Sequence, residues 1–370
     1  MTRRYGLKDV IFHFFINNAV PVIFILFIAF AFPLSGFSAA YLTQALATRV
    51  SRDSFLVLSL LLPIMAGMGI NFGMVLGAMS GQIAIILVLN WGIPGVGGLF
   101  LAMAVATPMA VLLGWFSGIL LNKAKGREMV TSIMLGFFMN GIYQLIVLYF
   151  MGRLIPIHNP VLVLSRGYGI RNALSLLTLR GSLDNLIPLK IAGISLPVAT
   201  YVMIGLLCLF IWWFGKTKLG HDMRAVGQDV AVAKNSGIKV ERTRIIAVIL
   251  STVVACYGQI IFLQSVGTLN TYNGADQTAT FAAAALLIGG ASVVKASIPN
   301  VFIGVTLFHL MFLVSPMAGK NLMGSAVIGE YFRVFASYGV IALALALYAW
   351  KRLKARERAR RSLRGEARES

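Results

Sequence analysis

Charged residues and cysteines are scarce in this chain of 370 residues. Asp, Glu, Lys and Arg together make up 12% of it, whereas ordinary soluble domains contain about 25%. Acidic residues are the scarcest, 12 against 32 basic ones, which leaves a formal net charge of +20. The two cysteines, Cys208 and Cys256, lie in long apolar runs and show neither a disulfide framework nor metal-ligand spacing. This composition excludes a disordered chain, a collagen and an ordinary soluble enzyme.

Residue patterns that carry chemistry are also missing. The four histidines are scattered, without a spacing such as H-x-x-x-H that would suggest a metal site. We find no Ser/His/Asp pattern or paired carboxylates typical of catalysis, and no G-x-x-x-x-G-K-[ST] phosphate loop. We therefore predict that this chain has no catalytic residue, no metal site and no cofactor, and that it does not itself hydrolyse ATP.

Long apolar runs dominate what the sequence does contain. Hydrophobic residues make up 58% of the chain, and the mean hydropathy is +0.85. A membrane-crossing helix needs about 20 mostly apolar residues. Ten candidate runs lie near 19–37, 55–70, 71–91, 97–121, 129–150, 194–214, 243–265, 277–294, 296–316 and 329–350. We predict an all-α polytopic transmembrane helical bundle of about ten spans over residues 1–350. Whether 55–91 and 277–316 cross fully or re-enter stays open.

The basic residues orient this bundle. Short cytoplasmic loops are rich in Lys and Arg, and ten spans with an inner N-terminus place most of the 32 basic residues inside. They cluster at 123–127, between Lys216 and Arg244, and from Lys351 onwards. An odd number of spans would put these clusters on opposite sides. We therefore expect both termini to be cytoplasmic.

Two segments outside the spans have a clear character. Residues 351–370 form a basic cytoplasmic tail, which we interpret as a solvated helical end at anionic lipid. It is not predicted to bind nucleic acid, because no aromatic residues alternate with its charges. Residues 151–193 form an extracytoplasmic loop in which Pro and Gly exclude a long helix, although a short amphipathic piece fits around Asn172–Leu179.

The cytoplasmic loop at 215–242 is the most informative stretch. Gly227 is expected to break its first segment. Asp229 suits the N-cap of a two-turn helix over Val230–Ser236, because its side chain can accept from free backbone N–H groups, and Gly237 suits the position after the helix. So short a helix is unstable alone in water. It is expected to dock on another protein or on the span ends, unless the loop is only a connector on the lipid surface.

This loop resembles the coupling loop of bacterial ABC importer permeases. Arg224-Ala225-Val226-Gly227 with Asp229 and Ala233, followed by Ser236-Gly237-Ile238, is similar to the pattern RAVG-x-N-x-x-AA-x-x-x-GI of the branch that imports simple sugars, nucleosides, branched-chain amino acids and riboflavin. The glycine-rich stretch 69–81, the segment 128–141 and the turn 287–292 are also similar to that branch. The chain departs from the pattern at Ala231-Val232-Ala233, where an acidic residue is usual, and at Lys295-Ala296 after the late turn.

The resemblance implies a transporter subunit in a bacterial cytoplasmic (inner) membrane. Its partners would be an ABC ATPase that binds ATP and Mg, a second permease that is a different chain or a second copy, an extracytoplasmic substrate-binding protein, and membrane lipid. Val230, Ala233 and Ile238 would contact the ATPase, while Asp229 caps the short helix and Gly237 ends it. Arg224 is expected to pair with an acidic residue of the ATPase or with lipid phosphate.

Polar residues inside the spans are candidates for the substrate pathway, because they are costly there. Neutral amides and hydroxyls suit hydrogen bonding to an uncharged solute, and an aromatic ring can stack on a flat one. The same residues could equally join helices to each other, and the glycines at 67–81 could pack helices closely. The candidates are Asn71, Asn140, Tyr143, Gln144, Gln259, Thr278 and Phe281.

Two further classes of function compete with an ABC importer permease. An ion-coupled secondary transporter of a small neutral solute would need ionisable groups at membrane depth. The candidates for such groups mostly lie at predicted span ends, and Glu330 and Arg333 can pair with each other. A membrane-embedded scaffold or enzyme lacks any supporting constellation. The scarcity of charge favours a simple sugar or nucleoside as the solute, and riboflavin stays open.

Overall fold

The structure is a computed structural model that describes residues 19–191, 194–335, 338–339, 342 and 346. The predicted basic tail at 351–370 and half of the last predicted span lie outside these residues. The described part is helical. Its helices are α1 Ala19–Ser35, α2 Ala39–Ser59, α3 Leu61–Met65, α4 Val75–Trp91, α5 Gly95–Lys123, α6 Glu128–Leu145, α7 Val198–Lys216, α8 Lys218–Gln228, α9 Val230–Asn235, α10 Val240–Val266, α11 Thr278–Ile288 and α12 Ile298–Met323. Residues 326–335 are helical as well.

Six helical segments of the described part are long and apolar enough to cross a membrane. A 3-10 turn at Phe72–Met74 extends α4 at its start, and a π-helical turn at Ile146–Phe150 extends α6 at its end. The six are Phe72–Trp91, Gly95–Lys123, Glu128–Phe150, Val198–Lys216, Val240–Val266 and Ile298–Met323, and Val20–Ser35 and Thr278–Ile288 are shorter apolar helices. All eight overlap predicted spans.

The predicted span at 55–70 is wrong in its position. The structure has the helix α2 at Ala39–Ser59, and the apolar run that follows bends through α3 and an irregular stretch. Pro63 has no N–H to continue a helical ladder, and Gly67 and Gly69 adopt positive φ angles of 69° and 73°. The charged residues in the middle of α2 lowered the hydropathy there, so the sequence suggested an outer loop at a segment that is helical.

Close packing accounts for glycines on two helices. A Cβ on Gly81 of α4 would lie 2.9 Å from the carbonyl oxygen of Cys256 in α10, and one on Gly77 would collide with the carbonyl of Thr252. Gly289, at the end of α11, is pressed against the carbonyl of Asn300 in α12 in the same way. Small residues permit such contacts between membrane helices. These contacts support packing as the role of these three glycines.

Short antiparallel strands modify the expectation of an all-α chain. Strand β1 (Ala173–Ser175) pairs with β4 (Thr268–Asn270), and β2 (Pro188–Ile191) pairs with β3 (Ile194–Pro197). The amphipathic piece predicted around Asn172–Leu179 is therefore a strand followed by a turn, with Leu174 buried. The pair of β1 and β4 joins the loop after α6 to the segment after α10, whereas the pair of β2 and β3 lies directly before α7.

Candidate functional site

The segment α8–Asp229–α9 lies at the other end of the bundle. Asp229 has an extended backbone (φ −153°, ψ 116°), and its carboxylate accepts from the N–H groups of Ala231 at 2.7 Å and Val232 at 3.0 Å. This is the predicted N-cap geometry. The helix ends at Asn235, one residue earlier than predicted, and Gly237 follows with a positive φ of 80°. The sequence therefore gives the local structure of this segment closely.

Gly227 does not break the chain as predicted. It lies inside α8, which continues to Gln228, and the break falls at the extended Asp229. Gly227 is instead a contact residue, because a Cβ there would collide with the carbonyl of Met65. Its neighbours Met223 and Val226 are buried. The helix α8 is thus pressed against the irregular chain between α3 and the 3-10 turn.

The side chains predicted to touch an ATPase divide into two groups. Val230 is 42% exposed, Val232, which the prediction omitted, is 61% exposed, and Ile238 is half-buried. Ala233 is only 2% exposed, so it packs within this chain and cannot be a contact residue as predicted. A four-residue spacing places Val230 and Lys234 on one face, and Ala233 turns towards the bundle.

Arg224 is exposed but is tied to its own chain. Its Nη2 donates to the carbonyl of Gly215, and the same atom lies 3.3 Å from Nδ1 of His221. Cationic side chains commonly bind the free carbonyls at a helix C-terminus. The guanidinium therefore holds α8 against the end of α7, a role that the sequence pattern did not reveal.

An ion pair anchors the same end of the bundle. Nη1 of Arg244 lies 3.2 Å from Oε1 of Glu128, and Nη2 donates to the carbonyl of Gly67 at 3.3 Å. The two charged side chains are only 11% and 12% exposed. They border a cavity of about 1110 Å³ that is also lined by Gly227, Val230 and other residues of this end. Arg244 thus connects α10 to α6 and to the chain around Gly67, which α8 contacts.

The predicted pathway residues fall in three places. Asn71 caps the 3-10 turn, where its Oδ1 accepts from the N–H of Gly73 at 2.9 Å. Phe281 lies in an aromatic cluster on α11 and α12. The remaining polar residues gather around the segment at 272–278.

Three of those residues bind the 272–278 segment through hydrogen bonds, and Thr278 belongs to the segment itself. Asn140 donates to Oδ1 of Asp276 at 2.8 Å, and Gln144 lies 3.4 Å from the carbonyl of Tyr272. Gln259 reaches the carbonyl of Gly274 at 3.5 Å, and Thr278 reaches Oε1 of Gln259 at 3.4 Å. Desolvation raises the pKa of the Asp276 carboxyl above its usual value. These contacts favour a structural role for the three amide side chains and for the hydroxyl of Thr278.

Tyr143 shares a helix face with Asn140 and Gln144, as predicted, but its surroundings differ. The side chain is 3% exposed, and its hydroxyl has no hydrogen-bond partner in the part of the chain that the structure describes. A buried hydroxyl without a partner is unfavourable. Tyr143 therefore has unused hydrogen-bonding capacity, and so does Asn71, whose Nδ2 is also buried without a partner among the described residues.

The sequence pattern did not predict a charged cluster that lies in the middle of the bundle. Nε2 of His309 lies 2.7 Å from Oδ2 of Asp53, and Arg52 donates to the same oxygen from Nη2 at 3.0 Å. Arg49 lies one turn before Asp53 on α2. A spacing of three and four residues between charges, as at 49–53, indicates one helix face. That spacing was the available signal, but residues 38–54 fell between the predicted spans 19–37 and 55–70.

The six helical segments long and apolar enough to cross a membrane are typical of a multi-pass membrane protein. A family model described as the permease component of a branched-chain amino acid transport system matches residues 42–345. The chain belongs to this family, and it is a multi-pass permease of the bacterial inner membrane.

Curated relatives are similar over part of their length. The chain is 30% identical over 141 residues to an autoinducer 2 import system permease protein, LsrC, of Enterobacter sp. (strain 638), which covers 36% of this chain and 41% of the relative. It is 33% identical over 101 residues to a probable ABC transporter permease protein, YphD, of Escherichia coli (strain K12), covering 27% and 30%. The chain thus spans less than half the length of these relatives. No solved structure matches.

Proposed function

We propose that this chain is the membrane-spanning permease subunit of an ATP-binding cassette importer for a small polar solute. The observation that carries this is the α8–Asp229–α9 segment, a capped pair of helices held against the bundle and presenting apolar side chains outward. Family membership supports the transport function, and the relatives named for autoinducer 2 import and for an ABC permease support the importer class. A sugar-type solute is the first choice, and a nucleoside or riboflavin the next.

The coupling surface, which we define as Val230, Val232 and Ile238, is where the ATPase would dock. Apolar side chains this exposed on a short polar segment are typical of a protein contact. Asp229 and Gly237 shape the surface, while Gly227 and Arg224 hold it on the bundle. ATP and Mg would be bound by the ATPase and not by this chain.

We propose ten spans with both termini cytoplasmic. The second span is α2 with α3 in place of 55–70, and the other nine keep their predicted order. The helix that begins at residue 326 would be the tenth span. This arrangement puts the clusters at 123–127 and 216–244 on the cytoplasmic side, as the positive-inside rule requires.

The importer needs partners besides the ATPase. An extracytoplasmic substrate-binding protein would meet the end formed by residues 151–191 and the paired strands. A second permease, of another chain or the same one, would complete the pathway. Met134, Phe137 and Phe138 of α6 form an exposed apolar stripe that would face this permease or lipid.

An uptake assay that identifies the source of energy for transport tests this function. Uptake of radiolabelled sugars and nucleosides would be measured in cells depleted of ATP and, separately, in cells treated with a protonophore. An ABC importer loses uptake with ATP and keeps it when only the ion gradient is collapsed. The opposite result would reject the proposal.

The Asp53–His309 contact keeps one alternative open, an ion-coupled secondary transporter. An ionisable pair deep in a helical bundle is a common feature of proton-coupled carriers. In that case His309→Gln would abolish accumulation against a gradient but allow downhill exchange. For the importer, both uptake modes would change together.

A further inference from the structure

The cavity of about 1110 Å³ beside the coupling surface has strongly basic walls. Six basic and two acidic residues line it, so the walls carry a formal net charge of +4. Small-molecule sites in proteins occupy roughly 300–1,000 Å³, and this cavity slightly exceeds that range. Val230 and Ile238 of the coupling surface form one side of it, whereas Val232 is not among its lining residues. A cavity of this charge and size suits an anionic ligand larger than a simple ion.

Five of the six basic side chains are free to bind such a ligand. All five residues are exposed, and none makes a salt bridge or a side-chain hydrogen bond within the described part of the chain. Lysine and arginine side chains have only N–H donors, which bind phosphate oxygens strongly. The five come from the turn between α5 and α6, from α9 and from the start of α10, and they are Lys125, Arg127, Lys234, Lys239 and Arg242.

Two long helices begin at this cavity without a capping side chain. Arg127 at the start of α6 and Lys239 at the start of α10 make no side-chain cap hydrogen bond, and the first residues of both helices line the cavity. The first backbone N–H groups of a helix have no partner inside it, and the helix dipole favours negative charge there. Phosphate groups bind readily at such ends. The free cations and the two helix starts are separate features that favour the same kind of ligand.

The two acidic residues of the cavity reduce its positive charge without cancelling it. Glu128 is already paired with Arg244, the sixth basic residue. Glu241 lies in the first turn of α10, is exposed, and has no cationic partner among the described residues. Its carboxylate therefore opposes an anion, but the free cations outnumber it by five to one.

We propose that this cavity binds the phosphate group of a phosphate ester. The headgroup of an anionic membrane lipid and a soluble phosphate ester present the same oxygens to the lysine and arginine side chains, and the volume leaves room for the alcohol part of the ester. None of the predicted pathway residues lines this cavity. The site goes beyond the proposed function and does not depend on it, because it needs neither an ATPase nor a second permease.

Titration of the purified full chain in phosphatidylcholine nanodiscs tests the site. The probes would be glycerol 3-phosphate, glucose 6-phosphate and adenosine monophosphate, at low ionic strength because salt screens exposed charges, with glycerol as the neutral control. We expect saturable binding of at least one ester, with a Kd at least about tenfold higher when Lys125→Gln and Lys239→Gln are combined. Combining Lys123→Gln with Lys218→Gln removes the same charge from exposed residues that do not line the cavity, and it should leave the Kd unchanged.

Nanodiscs that contain phosphatidylglycerol distinguish the two sources of the phosphate. If the lipid headgroup occupies the cavity, the apparent Kd of the soluble ester should rise in these nanodiscs. Native mass spectrometry should then find phosphatidylglycerol retained by the unchanged chain and lost from the Lys125→Gln, Lys239→Gln variant. If a soluble ester is the ligand, its Kd should be the same in both membranes.

The absence of saturable binding with both the soluble esters and phosphatidylglycerol would overturn the site and leave the five cations to an acidic protein surface. Equal Kd values in the two double variants would overturn it as well, since only the general positive charge of this end would then attract phosphate. Glu241→Gln provides a check that misfolding cannot imitate, because it should lower the Kd about threefold; an unchanged or higher Kd would count against the site. Phosphate binding by a chain whose uptake needs no ATP would reject the importer and leave this site standing.

Discussion

The backbones of Gly67 and Gly227 are in direct contact. A Cβ built on Gly67 would lie 2.8 Å from the Cα of Gly227. The contact joins α8, which leads into the coupling surface, to the irregular chain that precedes the span α4. Neither residue has room for a side chain at this contact. If the α8–Asp229–α9 segment, here called the coupling segment, moves, it must therefore either move the membrane helices with it or break this contact.

We predict that Gly227→Val uncouples the coupling segment from the bundle. The added methyl groups collide with the carbonyl of Met65, and overpacking of this kind costs about 1–3 kcal/mol. The melting temperature of the purified chain should fall, and uptake should be lost. The matched change Gly205→Val falls on a helical glycine with open space around it, and it should alter neither quantity. Unchanged uptake in Gly227→Val would disprove the coupling role of the contact.

Asp229→Ala removes the cap of α9. The loss of an N-cap costs about 0.5–2 kcal/mol, which a helix of six residues cannot absorb. We expect faster amide hydrogen exchange at Ala231 and Val232, measured by mass spectrometry, together with weaker uptake. Asp229→Asn keeps an acceptor oxygen and should retain most of the protection. Equal exchange in Asp229→Ala and the unchanged chain would show that the cap is dispensable.

Glu128→Ala leaves the guanidinium of Arg244 without its carboxylate in a nearly buried position. Breaking such a pair by removing one partner costs about 3–5 kcal/mol at full burial, and less at the 11–12% exposure found here. Thermal unfolding in detergent should show a clear loss of stability. Combining Glu128→Ala with Arg244→Leu should restore part of it, because no unpaired charge then remains. A double variant as unstable as the sum of the single changes would contradict this pairing.

The position of α2 in the bundle gives a topological prediction. A cysteine in place of Val57, which is buried in α2, should resist a membrane-impermeant maleimide from either side, whereas one in place of Val161 in the outer loop should react from outside. A cysteine in place of Lys125 should react only after the membrane is permeabilised. Reaction of Lys125→Cys in intact cells would reverse the assigned orientation.

The sequence predicted the features that depend on local chemistry. The N-cap at Asp229, the turn at Gly237 and the six long apolar helices follow from a single stretch of residues each, and the structure contains them. The helix α2 did not follow, because the partner of its residue Asp53 is His309, which is distant in the sequence. Hydropathy treats such residues as exposed.

In the candidate site too, the sequence predicted local features but not the contacts between distant elements. The spacing of Asn140 and Gln144 gave their common helix face but not their partners, which lie on the 272–278 segment. The burial of Ala233 beside the exposed Val232 depends on how α9 rests on the bundle. Contacts between elements distant in the sequence cannot be read from one chain without homologues.

The most direct test of the central claim is a cross-link from the coupling surface. The photoreactive amino acid benzoylphenylalanine would replace Val232 in the chain expressed in its own cells, with Val161 replaced as the control. After irradiation, we predict one main cross-linked product from position 232, and mass spectrometry should find in it a protein with a G-x-x-x-x-G-K-[ST] loop. No such product from position 232, or an equal amount from position 161, would contradict the claim that this surface docks an ATPase.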